Sequence, residues 1–146
     1  MEFAFTEEQL MIRDSAERFL AQASDSLAVR EGMARAEGYD PELWRRIGQE
    51  LYWPALMVPE VHGGMGLGFV ELALLLEQCG RFLLGSPLFA TSCLATPALL
   101  LGSNPLLKAQ WLGAIAAGET SATLAFSADG GRDADSVQAI VQGQVL

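Results

Sequence analysis

The residues best suited to chemistry lie in Met57-Val58-Pro59-Glu60-Val61-His62-Gly63-Gly64-Met65-Gly66-Leu67-Gly68, which holds the single histidine and glycines at 63, 64, 66 and 68. A glycine-rich turn ahead of a helix could cradle a phosphate on its backbone N–H groups. Gly64-Met65-Gly66 supplies two glycines of a dinucleotide fingerprint, but the third position is Phe69 and no strand–helix–strand unit surrounds it. A structural turn is therefore expected. His62 could serve as a base for Ser86 or Ser92 with a carboxylate behind it, yet neither serine sits in a nucleophile motif. His62 is expected to be a loop residue bonded to backbone. One histidine, with Cys79 and Cys93 in no C-x-x-C pattern, does not make a metal site. The two cysteines sit in apolar surroundings and are expected to be buried free thiols in a reducing compartment.

At 146 residues the chain can form one domain, or one domain and part of another. Hydrophobic residues make up 51%, enough for a packed core. Lys+Arg 9 against Asp+Glu 18 gives a net charge of −9, which argues against a nucleic-acid surface and weakens a case for anionic lipid. No charge occurs between Arg81 and Lys108, a stretch longer than the ~20 residues that span a bilayer. Gly85, Pro87, Pro97, Gly102 and Pro105 interrupt it, so two buried helices are expected rather than a membrane span. The acidic start, Met1-Glu2-Phe3-Ala4-Phe5-Thr6-Glu7-Glu8, does not read as a signal peptide, and a cytoplasmic location is expected.

Helices must position these residues. Thr6 with Gln9 forms a capping-box pattern, and Ile12, Ala16, Phe19, Leu20 and Ala23 recur at helical spacing over about Glu7 to Ala23. Residues 25 to 37 predict a weaker helix with Leu27, Ala28, Met33 and Ala34 inward, weakened by Gly32 and ended by Gly38. Asp40 caps a third helix with Pro41 at its first position, and Leu43, Trp44, Ile47 and Leu51 make its inner stripe. Pro54 and Pro59 bracket a short extended piece.

The run from Phe69 to Leu84 predicts a central helix whose polar residues Glu71, Glu77, Gln78 and Arg81 fall on one stripe. Apolar elsewhere, it should be covered on most sides. A fifth helix over roughly Phe89 to Leu101, kinked at Pro97, and a sixth starting at Ser103-Asn104-Pro105 follow. The inner face of the sixth is Leu107, Trp111, Leu112 and Ile115, and its stop is Gly118. From Thr120 the character changes. Ala122 to Ser127, Val137 to Val141 and Gln144 to Leu146 look like strands, too few to be stable alone. The expected fold is mainly α: a six-helix, up-and-down-like domain over 1–119, then the cut-off beginning of a β domain over 120–146.

Several motifs carry a resemblance. Phe5-Thr6-Glu7-Glu8-Gln9, Arg13-Asp14-Ser15-Ala16-Glu17-Arg18-Phe19-Leu20 and Glu42-Leu43-Trp44-Arg45-Arg46-Ile47-Gly48 resemble the N-terminal region of acyl-CoA dehydrogenases. Pro59-Glu60-Val61-His62-Gly63-Gly64-Met65-Gly66 is similar to that family's P-E-x-x-G-G-x-G loop, and Gln110-Trp111-Leu112 through Ala117-Gly118-Glu119 to the segment before its first strand. The similarity runs along essentially the whole chain in order. Gly80-Arg81 with Gly85-Ser86-Pro87 resembles a bacterial branch that includes enzymes for steroid or other bulky CoA thioesters, some built from two unlike subunits.

The resemblance implies an FAD enzyme that oxidises an acyl-CoA to the 2,3-enoyl-CoA. A carboxylate removes the α proton, the β hydrogen leaves as hydride to the flavin, and electrons pass on to an electron-transfer flavoprotein. In the family the base lies in a C-terminal helical domain to which nothing here corresponds, so no catalytic residue is nominated. By the same resemblance Leu88, Phe89, Thr91 and Ser92 are candidates for the acyl wall, and Leu124, Phe126 and Ser127 for the flavin edge. Ser127 stands where the family has a flavin-bonding threonine, whereas the following Glu-Pro pair is replaced by Ala128-Asp129 and Arg132 stands near the family's serine. Two functions stay open. The chain is part of an acyl-CoA dehydrogenase, or it is a non-catalytic subunit packed against a catalytic partner in a homo- or hetero-oligomer, as the departures in the flavin strand would suit.

Overall fold

The computed structural model describes residues 4–125. They form six α-helices: α1 (Glu7–Ala23), α2 (Ser26–Ala34), α3 (Pro41–Gln49), α4 (Phe69–Arg81), α5 (Thr96–Leu101) and α6 (Pro105–Ala116). A π-helical segment, Ala90–Ala95, leads directly into α5. The mainly α, six-helix architecture is as expected. No strand occurs among the described residues: Ala122 to Ala125, the described part of the first expected strand, have no regular secondary structure, and the rest of that strand and the other two expected strands lie outside the described residues.

Local chemistry sets the helix starts. The Thr6 side chain accepts from Gln9 N while Gln9 Oε1 accepts from Thr6 N, closing the capping box. Asp25, Asp40 and Asn104 cap α2, α3 and α6, and proline stands at the start of α3 and α6, where its missing N–H leaves nothing unpaired. Pro97 is accommodated differently. In an α-helix its ring would press on the Cys93 carbonyl, and the preceding turn widens into the π segment instead, with Thr96 N donating to Thr91 O.

α1 lies along α4, and the two run parallel. Gln9 Nε2 donates to Glu71 Oε1 at 2.8 Å near one end, and Arg81 pairs with Glu17 at 2.7 Å near the other. Ser24 Oγ extends the seam by donating to Phe82 O at 3.0 Å. Glu71 also accepts from Gly68 N. The Gln9 hydrogen bond, with the backbone N–H groups of the α4 start, holds its carboxyl below the usual range.

Two apolar cores result. One gathers Ala16, Leu20, Ile47, Trp53, Leu56, Leu75, Cys79 and Leu88; the other gathers Ala55, Val58, Leu112, Ile115 and Ala116. The segment Trp53 to Val58 contributes to both, so it is a wedge between them. It is not the expected extended piece: Trp53–Ala55 and Glu60–His62 are 3₁₀ turns. Its carbonyls are paired across the loop, with Met65 N donating to Ala55 O, Leu67 N to Leu56 O and Gly66 N to Val58 O, each at 2.9 Å. α3 meets the end of α6 backbone to backbone. A Cβ on Gly48 would lie 2.9 Å from Gly118 Cα, and one on Gly118 would lie 2.5 Å from Gly48 C.

Four expectations about facing are corrected. Gln78 is buried rather than outward, because it shares the α4 face that meets the rest of the body with Leu74, Leu75 and Cys79. Phe69 and Val70, expected among the covered apolar residues of α4, are exposed in its first turn. Leu27 and Met33 of α2 are exposed, because the side that α2 turns to the body carries Ala28, Val29 and the buried Gly32, where a Cβ would meet the Tyr39–Asp40 backbone at 3.7–3.8 Å. Leu107 and Trp111 are exposed, leaving Leu112 and Ile115 as the inner stripe of α6.

α4 stops three residues earlier than expected, at Arg81. Leu84 N donates to Cys79 O and Leu83 N to Gly80 O, with Leu83 itself at φ 52. This closing motif usually places glycine at the left-handed position. Leu83 is 71% exposed, so its side chain has little packing to lose. Leu83→Gly is expected to stabilise the chain by about 1 kcal/mol, read as a higher denaturation midpoint in urea. An unchanged or lower midpoint would show that the leucine makes a stabilising contact.

Candidate functional site

The glycine loop is a turn, as its residue pattern suggests. Its N–H groups at 65, 66 and 67 are engaged by the wedge, and Gly64 packs directly against Val58, so they do not point at an anion. His62 donates its backbone N–H to Pro59 O at 2.9 Å, and among the described residues no hydrogen bond joins it to Ser86 or Ser92. Ser86 Oγ accepts from Leu88 N two residues on. Both thiols are free; Cys79 is buried as expected, whereas Cys93 is only half-buried, and burial pushes Cys79 up to about 12, well outside the range of a nucleophile at neutral pH. No metal-binding cluster occurs among the described residues. The uncharged stretch folds as the π segment, α5 and the start of α6, and no described helix is long and apolar enough to cross a membrane.

Of several surface cavities among the described residues, the one that includes a candidate site residue, Leu124, is a groove of about 520 Å³ between α5, α6 and the segment 120–124. Ala95, Ala98 and Leu99 recur at helical spacing and form its floor. Trp111 of α6 forms one side, and Thr120 to Leu124 run along the other. No lining residue is charged or titratable in the neutral range. The groove can therefore take an apolar or planar group, and it brings no general acid or base of its own.

The candidate residues separate by position. Leu88 is buried in the core shared by α1 and α4. Thr91 is fully buried, with its hydroxyl engaged by the backbone of Ala122 at 3.2 Å. Ser92 is buried and its Oγ has no protein partner among the described residues; the same is true of Thr96 Oγ1. Phe89 is 59% exposed at the start of the same helix, so of the four it is free to touch a ligand directly. Leu124 lines the groove and is partly open, while Phe126 and Ser127 lie outside the described residues. Ala95, Ala98, Leu99 and Trp111 are groove residues that sequence patterns do not single out. Their signal is faint: two alanines at helical spacing in an apolar run, and a tryptophan whose spacing matches a core stripe.

The sequence model of the family described as acyl-CoA dehydrogenase, N-terminal domain, matches residues 6–119. The chain belongs to the acyl-CoA dehydrogenase family. It is 36% identical over 142 residues to the acyl-CoA dehydrogenase IpdE2 of Mycobacterium tuberculosis, covering 95% of this chain and 44% of that protein. It is 31% identical over 103 residues to the IpdE2 of Mycolicibacterium smegmatis, covering 70% of this chain and 33% of that protein. The chain thus spans less than half the length of both curated relatives. Among solved structures it is similar to a variant of the steroid ACAD Tcur3481-Tcur3483, with a TM-score of 0.76 and 25% identity over 85% of this chain and 34% of that one.

FAD is the cofactor this family implies. The described residues fit part of it. Trp111, Leu124 and the hydroxyl-bearing segment 120–123 suit the edge of a flat aromatic ring system, whereas the groove lining offers no cation to a pyrophosphate. Groups outside residues 4–125 must supply the rest of any flavin site.

Proposed function

We propose that this chain is the N-terminal part of an FAD-dependent acyl-CoA dehydrogenase that oxidises an acyl-CoA thioester to the 2,3-enoyl-CoA. Residues 1–119 form its helical domain and 120–146 the beginning of the middle β domain. The groove between α5, α6 and 120–124 carries the reading: it is apolar, lacks a titratable group and is closed on one side by the segment that leads into residues 126 and 127. Such a wall holds and shields an acyl chain but cannot remove a proton, in keeping with a base supplied from elsewhere. Bound FAD would supply the two-electron acceptor. By the family resemblance Phe89 is the direct acyl contact, backed by Leu88, Thr91 and Ser92, which stand before the groove in the chain and do not line it; Leu124, Phe126 and Ser127 stand at the flavin edge. The likeness to a steroid ACAD supports a bulky, polycyclic acyl group. Electron-transfer flavoprotein is the onward acceptor, further acyl-CoA dehydrogenase subunits are the oligomeric partners, and the location is cytoplasmic.

A second reading has an observation of its own. Ala128-Asp129 replaces the Glu-Pro pair of the flavin strand, which suits a non-catalytic subunit docked on a catalytic one. Purified residues 1–146 are expected to be colourless and unable to reduce a dye with any acyl-CoA. The full-length gene product is expected to be yellow and to bleach with a steroid-acid CoA thioester. Stoichiometric FAD on the 146-residue piece would sink the idea of an incomplete site. A colourless full-length protein that binds a flavin-containing partner would select the second reading.

A further inference from the structure

We infer that Thr91 is a positioning residue, whose buried hydroxyl pins the segment 120–124 and so sets the width of the α5–α6 groove. Thr91 Oγ1 donates to Ala122 O and accepts from Ala122 N, both at 3.2 Å. One residue exchanging both of its backbone hydrogen bonds is what a neighbouring strand would ordinarily provide. Here no strand pairs with Ala122 among the described residues, and a side chain takes its place. The position suits the task. Thr91 is fully buried, lies one turn before the groove-floor residue Ala95, and belongs to the π segment, a rare geometry that concentrates at functional sites.

The opposite wall depends on this contact. Ser121, Thr123 and Leu124 are exposed, so the neighbours of Ala122 have little burial of their own to hold them. Ala122 itself packs on the core that contains Leu112 and Ile115. Threonine is required for the hydroxyl rather than for its volume, because the isosteric valine would set a methyl against a backbone N–H and C=O and leave both unpaired. The consequence for acyl recognition rests on the function proposed above; the clamp itself does not.

Amide hydrogen exchange on the full-length gene product tests it. In Thr91→Val the Ala122 amide is expected to exchange about tenfold faster or more, while the amides of α1 and α4 keep their rates. Thr91→Ser, which retains the hydroxyl, is expected to keep Ala122 protected. If the valine variant does not fold, Thr91→Ala removes the hydroxyl without adding a methyl and carries the same expectation. The clamp is refuted by an Ala122 amide that exchanges freely in the wild type or keeps its protection without the hydroxyl. Equal acceleration throughout α1 and α4 also refutes it, since Thr91 would then be ordinary core. None of these outcomes depends on acyl-CoA turnover, so the clamp and the proposed activity stand or fall separately.

Discussion

Leu75→Asp is expected to leave the chain without a cooperative folded state. Leu75 is fully buried in α4, in the core shared with Leu20, Ile47, Trp53 and Leu56. The substitution removes a side chain whose burial contributes about 2–3 kcal/mol and puts a carboxyl among groups that cannot hydrogen-bond to it. Protonation would avoid the charge but not the unpaired polar atoms. Together these exceed ~5 kcal/mol, the lower end of the stability of a small domain. Loss of the cooperative thermal transition by circular dichroism is the expected reading. A melt close to wild type would mean that α4 is peripheral to the fold.

The structure shows which physical signals in the residues are sufficient and which are not. Helix starts are legible because capping is local: Thr6, Asp40 and Asn104 each accept from an amide two or three residues ahead. The facing of a residue is legible only when the helix has one neighbour on one side. Gln78 has a polar side chain and a position near Glu77 and Arg81, yet it lies on the side that other elements cover, and its Oε1 has no partner among the described residues. Gly32 counts against helix formation by propensity, and in the fold it is the buried point of contact of α2, which turns Leu27 and Met33 outward. The groove is less legible still. Its floor comes from α5, its side from Trp111 and its opposite wall from residues near 122, brought together by a hydrogen bond spanning 31 positions. Hydrophobic period and capping carry no information about such a pairing. The family motifs do, because they report a whole arrangement at once.

Gly64→Ala is expected to destabilise the chain by at least about 3 kcal/mol, although the change adds one methyl group to a half-buried loop. The new Cβ would overlap the carbonyl oxygen of Val58 and lie 2.5 Å from Val58 C and Cβ. Backbone atoms cannot rotate away as the end of a long side chain can, so either the loop or the wedge must move. Moving the loop breaks the bonds from the N–H groups of Met65, Gly66 and Leu67 to Ala55, Val58 and Leu56. Moving the wedge disturbs both cores at once, because Trp53 and Leu56 belong to one and Ala55 and Val58 to the other. Gly63 supplies the control. It has φ +81, but a Cβ there would meet open space, so Gly63→Ala should cost only the left-handed penalty of about 1–2 kcal/mol. Urea denaturation of both variants separates close approach from backbone conformation. A larger loss for Gly63→Ala than for Gly64→Ala would show that the loop is held by its turn geometry, and that the contact with the wedge is dispensable.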